Sequence, residues 1–431
     1  MTSSNTTDTA TARREDPPTT AKKKRSRELI IAQLIGQVAL LLAIPVLTRL
    51  LSPAEMGIYQ TGLSVALILQ PLATLRRELL IPFAGVRDAR KHRWIGLGFA
   101  ATLSGAIALV ALPAWALGNA TLAETLLATA LILPSFALMY VENAFLIRHS
   151  AQGRLAVRNL VGGVLSAGLQ VVAALILPGA IAIAAALLLG RAAATFVTVA
   201  RRTPSSDVES PGEKKSQRSI SAILSAMIAA ASSQAVVIVS FASLGPSAAA
   251  QVAVGQRVAG APASLIGQAL TQIALSSAAP LIREQRPGMT SQLRSLTIRT
   301  GAAAAVTAAA LMIGGPLLAV PILGPGWEVA GVMTAVFAVP LSLTLVALPA
   351  TTLLIPLGRE RLLVSLQTVR LVAIVAAIVV SSALTQDVFT TSIVTAAVWT
   401  LAYVPLMTAA FTATVAHDRL CAQVVNQSSA P

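Results

Sequence analysis

The sequence predicts an all-α polytopic membrane protein with about twelve transmembrane helices. Hydrophobic residues make up 55% of the 431 residues and charged residues only 11%, whereas soluble domains carry about 25% charged residues. The mean hydropathy is +0.76. The apolar residues also form long runs separated by short polar loops. Helices satisfy their own backbone hydrogen bonds in lipid, so runs of this kind indicate membrane-spanning helices.

The apolar runs define twelve predicted spans. The first is too long for the apolar region of a signal peptide and lacks a small-residue cleavage site, so we interpret it as an uncleaved span. Residues 1–28 before it are predicted to be a disordered basic cytoplasmic tail. The spans are 29–51, 57–82, 94–117, 124–147, 157–178, 180–200, 219–243, 248–280, 295–319, 331–356, 362–384 and 389–413.

A helical hairpin joins the first two spans. Ser52 is a good N-cap, Pro53 fits the first helical position, and Glu55 stands where a capping box needs it. About 20 mostly apolar residues, enough for one bilayer crossing, then lead to Arg76-Arg77-Glu78. Because residues 79–83 are apolar again, the second span is predicted to continue to Pro82.

The basic residues indicate the orientation. With both termini in the cytoplasm, 26 Lys and Arg residues fall on the cytoplasmic side and only Arg49 on the outer side, as the positive-inside rule requires. The formal net charge of +15 is explained by this distribution. Nucleic acid is therefore not a predicted partner.

A polar linker at residues 201–218 divides the spans into two sets of six. This predicts an N-terminal six-helix bundle at 29–200, a C-terminal bundle at 219–413 and a cytoplasmic tail at 414–431. At an offset of 193 residues, Pro53 aligns with Pro246 and Gly62 with Gly255. An even number of spans in each repeat gives parallel repeats. We expect a central cavity between the two bundles.

The sequence contains no recognisable catalytic or metal-binding motif. Cys421 is the only cysteine, and the three histidines at 92, 149 and 417 are far apart, so no disulfide and no metal site are predicted. Motifs of hydrolases, metalloproteases and nucleotide-binding loops are missing from the sequence. We expect a protein that is not an enzyme and needs no cofactor, although transport coupled to H⁺ or Na⁺ stays open.

Charged residues inside spans are functional candidates, because charge in lipid is costly, and Arg257 is the strongest of them. Arg257 lies beside Gln256 and roughly 14 Å into the eighth span. It either faces an aqueous cavity or is a structural residue, in an ion pair or in hydrogen-bonded packing. Arg191, halfway along the sixth span, either faces the cavity or snorkels to the cytoplasmic interface.

Other polar residues in the spans each leave two interpretations open. Arg76 and Glu78 are cavity groups if the second helix continues, and interfacial anchors if it ends near residue 76. Glu142 either carries a proton or pairs with an arginine. Gln33 and Gln37 share a face of the first span, which is either a packing seam or a polar cavity lining.

Two motifs resemble those of the Wzx-type flippases. The first reads P-x-L-T-R-L-x-S-P-x-x-x-G-I-Y from Pro45 to Tyr59, followed by L-A-T-L-R-x-E-L-x-I-P at 72–82. The second is the glycine- and tryptophan-containing turn at 324–331 before the tenth helix. This chain has Arg77 where the family often has an aromatic residue. The family comprises polysaccharide exporters of the MOP superfamily, which move undecaprenyl-linked oligosaccharides across bacterial inner membranes.

The resemblance implies two MATE-like six-helix bundles around a central cavity. It also implies alternating access, by which an undecaprenyl-pyrophosphate-linked oligosaccharide crosses the inner or plasma membrane to the outer face. Arg257, Arg191 and Arg76 would neutralise the pyrophosphate, since arginine gives bidentate hydrogen bonds. A glycan polymerase and glycosyltransferases would be its partners.

Four other functions compete with this one. A MATE-like cation antiporter would need buried carboxylates and aromatics, and aromatic residues make up only 4% of this chain. A lipid II flippase would share nearly all of the same physical features. A glycan polymerase or ligase would need a large outer loop, whereas the predicted outer loops are short. A scaffold would give no reason for an arginine near the midplane.

Overall fold

The computed structural model describes residues 19–149, 151–200, 220–283 and 286–428. In these ranges the chain forms thirteen α-helices and no strand. The helices are α1 Thr19–Leu50, α2 Pro53–Ala73, α3 Val86–Ala116, α4 Ala120–Arg148, α5 Gln152–Ile176, α6 Ala180–Ala200, α7 Ile220–Leu244, α8 Pro246–Arg283, α9 Met289–Leu323, α10 Glu328–Leu353, α11 Glu360–Thr385, α12 Val388–Leu401 and α13 Tyr403–Ser428.

These helices confirm the predicted fold class of about twelve crossings. Ten apolar segments in the described ranges are long enough to cross a membrane, and the last of them, Val388–Gln423, joins α12 and α13. The other two crossings are α1, whose apolar part is Leu34–Leu50, and the 38-residue α8. The predicted span 389–413 is interrupted at Ala402. Pro405 has no backbone N–H to donate to Leu401, which accounts for the break.

The second helix ends earlier than predicted. It stops at Ala73, and Arg77–Leu79 and Ile81–Phe83 form two short 3₁₀ turns. The Arg76 N–H donates to the Pro71 carbonyl and the Leu75 N–H to Leu72, while Leu75 has a φ of 49°. This is a Schellman helix end with leucine where glycine is usual. The expectation that α2 continues to Pro82 is therefore wrong.

The terminal helices extend beyond the predicted spans. Helix α1 begins at Thr19, inside the predicted disordered tail, and α13 reaches Ser428, inside the predicted C-terminal tail. Ala, Lys, Arg and Gln are good helix formers, so a helix can continue after its apolar stretch has ended. The predicted linker at 201–218 lies outside the described residues.

The two halves of the chain repeat one arrangement of neighbours. In the first half α4 contacts α2, α3 and α6, and α5 contacts α1 and α6. In the second half α10 contacts α8, α9 and α12, and α11 contacts α7 and α12. Each of these five contacts of the first half thus has its counterpart six helices later. One buried apolar cluster lies mostly in the first half and includes Trp327 and a few other residues of the second half, and a second cluster lies in the second half.

The halves are joined at one end of the molecule. We call this end, which contains Ser52, the Ser52 end, and we call the opposite end, which contains Arg77, the Arg77 end. There the Thr48 hydroxyl donates to the Leu323 carbonyl over 2.8 Å, and Arg49 donates to the Pro321 carbonyl over 2.6 Å. Helix α2 also crosses α8 so closely that a Cβ on Gly57 would lie 1.9 Å from the Pro246 carbonyl oxygen. Only glycine fits this crossing unless the backbone shifts.

Candidate functional site

A cavity of about 160 Å³ lies where the first half of the chain meets α8 of the second half. Helices α1, α2, α4, α5 and α6 of the first half form nearly all of its wall, and α8 of the second half contributes Arg257. Eight of the lining residues are apolar or aromatic hydrocarbon side chains. The lining residues are Leu40, Ile44, Leu47, Met56, Tyr59, Gln60, Leu63, Leu67, Phe136, Gln170, Leu187, Arg191 and Arg257.

Arg191 lies in the cavity wall rather than at a membrane interface. Its Nη1 donates to the Ser135 hydroxyl over 3.0 Å. Its guanidinium carbon lies 4.5 Å from the centroid of the Phe136 ring, which is a cation–π distance. Helix α4 thus holds the guanidinium from two adjacent residues and fixes its position in the cavity.

Arg257 meets the first half of the chain at Tyr59. Its guanidinium interacts with the Tyr59 phenol, and Arg191 interacts with the same phenol. The Gln170 amide in turn donates to the phenol oxygen over 2.7 Å. Among the described residues, Arg257 alone lines the cavity from the second half, and it faces the hydrogen-bonded pair of Tyr59 on α2 and Gln170 on α5.

No carboxylate neutralises the two cavity arginines within the described residues. The ion pairs found there are Arg76–Glu78 and Arg93–Glu142, both away from the cavity lining. A structural ion pair for Arg257, one form of the structural interpretation of the sequence, is thus not found in this part of the chain. Two cations without a counter-charge make the cavity electropositive and suited to an anion.

Arg76 does not line the cavity, which favours the interfacial interpretation of this residue over the cavity interpretation. Because α2 ends at Ala73, Arg76 lies in the following turn, where its side chain is 32% exposed. Its Nη1 lies 3.8 Å from Glu78 Oε1. The other oxygen of Glu78 is buried and has no hydrogen-bond partner among the described residues.

Glu142 is held by Arg93. Glu142 Oε1 accepts a hydrogen bond from Arg93 Nε over 2.5 Å, and both side chains are buried. Arg93 precedes the predicted span 94–117 and counts among the cytoplasmic basic residues of the sequence, but it lies in α3 and is buried. The structure thus places Glu142 in an ion pair, the second of the two interpretations of this residue.

None of the three candidate glutamines is found in the cavity lining of the described residues. Gln256 is half-buried next to Arg257, and its Nε2 has no partner in the described ranges. Gln37 is half-buried on α1 but does not line the cavity. Gln33 lies in α1, and its side chain is not among those the structure describes.

Three polar cavity residues, Tyr59, Gln60 and Gln170, were not predicted from the sequence as site residues. Tyr59 ends the first motif, so a signal for it was present, although the motif does not indicate a contact. Gln170 is an isolated polar residue in an apolar span, which is a weaker signal. The described residues contain no group of three His, Cys, Asp or Glu side chains that could hold a metal ion.

Solved structures with the same fold belong to MOP-superfamily transporters. The lipid II flippase MurJ, in its inward closed conformation, aligns with a TM-score of 0.63 at 10% identity, covering 95% of this chain and 93% of that chain. A multidrug resistance MATE family transporter in its inward-facing conformation aligns with a TM-score of 0.57 at 15% identity, covering 93% and 96%. A MOP superfamily transporter from Pyrococcus furiosus, described as having a binding pocket of reverse polarity, aligns with a TM-score of 0.51 at 17% identity, covering 93% and 96%.

A family model described as "Polysaccharide biosynthesis protein" matches residues 46–331, which is more than half of the chain. No curated protein matches the sequence. The match to the family model spans nearly all of the first motif and all of the second. It confirms the family resemblance that these two motifs indicated. The chain therefore belongs to the polysaccharide biosynthesis protein family, as a multi-pass membrane protein with the MOP-superfamily fold.

Proposed function

We propose that this protein is a flippase that moves an undecaprenyl-pyrophosphate-linked oligosaccharide across the bacterial plasma membrane. One observation carries the proposal: Arg191 and Arg257 share a cavity between the two halves, and no described carboxylate neutralises them. Membership of a polysaccharide biosynthesis family supports a glycan-linked substrate. An anionic pyrophosphate is the part of that substrate that two guanidinium groups would bind.

The cavity size supports binding of the head group followed by a conformational change. A volume of about 160 Å³ corresponds to roughly five water molecules at ~30 Å³ each. This volume suits a phosphate group but not a whole oligosaccharide. The halves are joined at the Ser52 end. We therefore infer that the two halves separate at the Arg77 end and that the glycan enters there, while the polyprenyl tail stays in lipid.

The cavity charge weakens the antiporter alternative. A MATE-like antiporter for cations would place its substrate next to two arginines, which repel it. A lipid II flippase remains a second candidate, because its substrate carries the same pyrophosphate. The family match to polysaccharide biosynthesis favours the oligosaccharide precursor, and a glycan polymerase and glycosyltransferases would be partners in that pathway.

We propose that both termini, and with them the Arg77 end, lie in the cytoplasm. The distribution of 26 basic residues against one supports this orientation. Cysteines placed at Ser52 and Asn119 in a Cys421→Ser background should react with an impermeant thiol reagent in intact cells, and one at Ser216 should not. Labelling at position 216 from outside would overturn the orientation.

If transport is coupled to H⁺ or Na⁺, Glu78 is our candidate carboxylate. One of its oxygens is buried without a partner among the described residues, and it lies near the Arg77 end. Glu142 is occupied by Arg93. An imposed proton or sodium gradient across vesicles should change the transport rate of wild type but not of Glu78→Gln.

The direct test is reconstitution of the purified protein in vesicles that contain a fluorescent undecaprenyl-pyrophosphate oligosaccharide on the inner leaflet. Wild type should expose the glycan to an external lectin, and Arg257→Gln should not. Arg257→Lys should recover only part of the rate, because lysine cannot give bidentate hydrogen bonds. Arg294→Gln, on an exposed face of α9, is the matched control. Exposure by Arg257→Gln at the wild-type rate would remove this residue from the mechanism.

A further inference from the structure

Tyr59 is held in one orientation at the centre of the cavity wall. Its side chain is 4% exposed and that of Gln170 is 3% exposed. Gln170 Nε2 donates to the Tyr59 oxygen over 2.7 Å and faces the Ile183 carbonyl oxygen over 3.4 Å. A carbonyl can only accept, so the atom that faces it must be the amide nitrogen. The same nitrogen is therefore a donor towards Tyr59.

The neighbours of the phenol leave its own hydrogen unused. Gln170 donates to the phenol oxygen, and the nearby guanidinium groups of Arg191 and Arg257 have donors only, so none of the three can accept the phenol hydrogen. The part of the chain that the structure describes shows no hydrogen bond that the phenol donates. Since the phenol lines the cavity, its O–H can find an acceptor there.

We propose that Tyr59 binds the substrate directly, by donating its hydroxyl hydrogen to an oxygen of the anionic group that Arg191 and Arg257 hold. The inference rests on the proposed function and deepens it. Pyrophosphate oxygens are strong acceptors, and a hydrogen bond to a charged acceptor is shorter and stronger than a neutral one. Gln170 acts through Tyr59: it is a positioning residue that holds the phenol oxygen while the hydrogen points at the ligand.

The experiment compares two tyrosine-to-phenylalanine variants of the full-length protein. Tyr59→Phe keeps the ring and removes the hydroxyl. Tyr403→Phe is the matched control, because Tyr403 is also buried and hydrogen-bonded, to Thr344 over 3.0 Å, but does not line the cavity. The probes are undecaprenyl pyrophosphate and uncharged undecaprenol. Affinity for each and the melting temperature are measured in detergent, with Arg257→Gln alongside.

We expect Tyr59→Phe to bind undecaprenyl pyrophosphate about tenfold more weakly than wild type, the scale of one hydrogen bond to a charged group. Undecaprenol binding and the melting temperature should not change, and Tyr403→Phe should bind as wild type does. If Tyr59→Phe binds normally while Arg257→Gln does not, this inference fails and the proposed function stands. If wild type and Arg257→Gln bind the pyrophosphate lipid equally, the proposed function fails and this inference with it. A Tyr59→Phe protein that melts early or does not accumulate would show that the hydroxyl is structural and would also overturn the inference.

Discussion

Trp327 Nε1 donates a hydrogen bond to the carbonyl oxygen of Thr48 over 2.8 Å, and this bond joins the two segments that carry the family motifs. The indole is 1% exposed. The Thr48 hydroxyl completes the joint through the Leu323 carbonyl. The motifs thus specify a contact between the halves at the Ser52 end, and the charged cavity is built largely from other residues.

Trp327→Phe should destabilise the folded protein. The variant leaves the buried Thr48 carbonyl without its donor, which costs about 1–3 kcal/mol, and it also leaves part of the indole volume empty. Thermal unfolding in detergent measures the effect. Trp115→Phe is the control, because Trp115 is 70% exposed on α3. Equal melting temperatures for the two variants would mean that the joint contributes nothing to stability.

Gly57→Ala should disrupt the crossing of α2 and α8. The new methyl group would lie 1.9 Å from a backbone oxygen, so the helices must separate, and the joint at the Ser52 end must loosen with them. We expect a lower melting temperature and a lower membrane level. Gly98→Ala, where nothing lies within 4 Å of the added carbon, should behave as wild type. A fully stable Gly57→Ala protein would contradict the close crossing.

Glu142→Gln should destabilise the protein through Arg93. Removing one partner of a buried ion pair leaves the other charge uncompensated and costs roughly 3–5 kcal/mol. Adding Arg93→Gln should recover part of the lost stability, because the stranded charge is then gone. Melting temperatures of the two single variants and the double variant measure this coupling. Loss of transport by Glu142→Gln at wild-type stability would instead favour a proton-carrying role.

The crossings could be predicted from sequence because each one is a local run of apolar residues. The cap of α2 is equally local: the Ser52 hydroxyl accepts from the Glu55 N–H over 3.2 Å, as predicted. The Glu55 carboxylate, however, accepts from the backbone N–H of Ala180. Local sequence does not show that α6 begins beside α2, so this second use of Glu55 could not be predicted.

The missed features depend on contacts between distant residues or on an unusual backbone. The end of α2 has Leu75 in a conformation that glycine usually adopts, so the expected signal was missing. Arg93 and Arg158 lie near loops in sequence but point into the protein. Tyr59 and Gln170 are 111 residues apart, and only the packing of helices within the first bundle brings them together.

Arg191 and Arg158 lie inside the same bundle but differ in the number of hydrogen bonds that hold them. Arg158 donates to the carbonyls of Leu138 and Met139 and to the side chains of Asn143 and Thr195. It does not line the cavity, and it ties α5 to α4 and α6. Arg191 makes one such hydrogen bond, to Ser135, and its guanidinium faces the cavity.

Arg158→Gln should therefore lower the melting temperature and the membrane level, because several buried acceptors lose their donor, at about 1–3 kcal/mol for each group left unsatisfied. Arg191→Gln should fold and accumulate nearly as wild type but lose glycan transport, and Arg191→Lys should restore transport only in part, since lysine lacks the planar fork of arginine. Melting temperature, membrane abundance and lectin-accessible glycan are measured together for all three variants. If Arg191→Gln instead unfolds as readily as Arg158→Gln, then the guanidinium over Phe136 is a packing element, and the anion site reduces to Arg257.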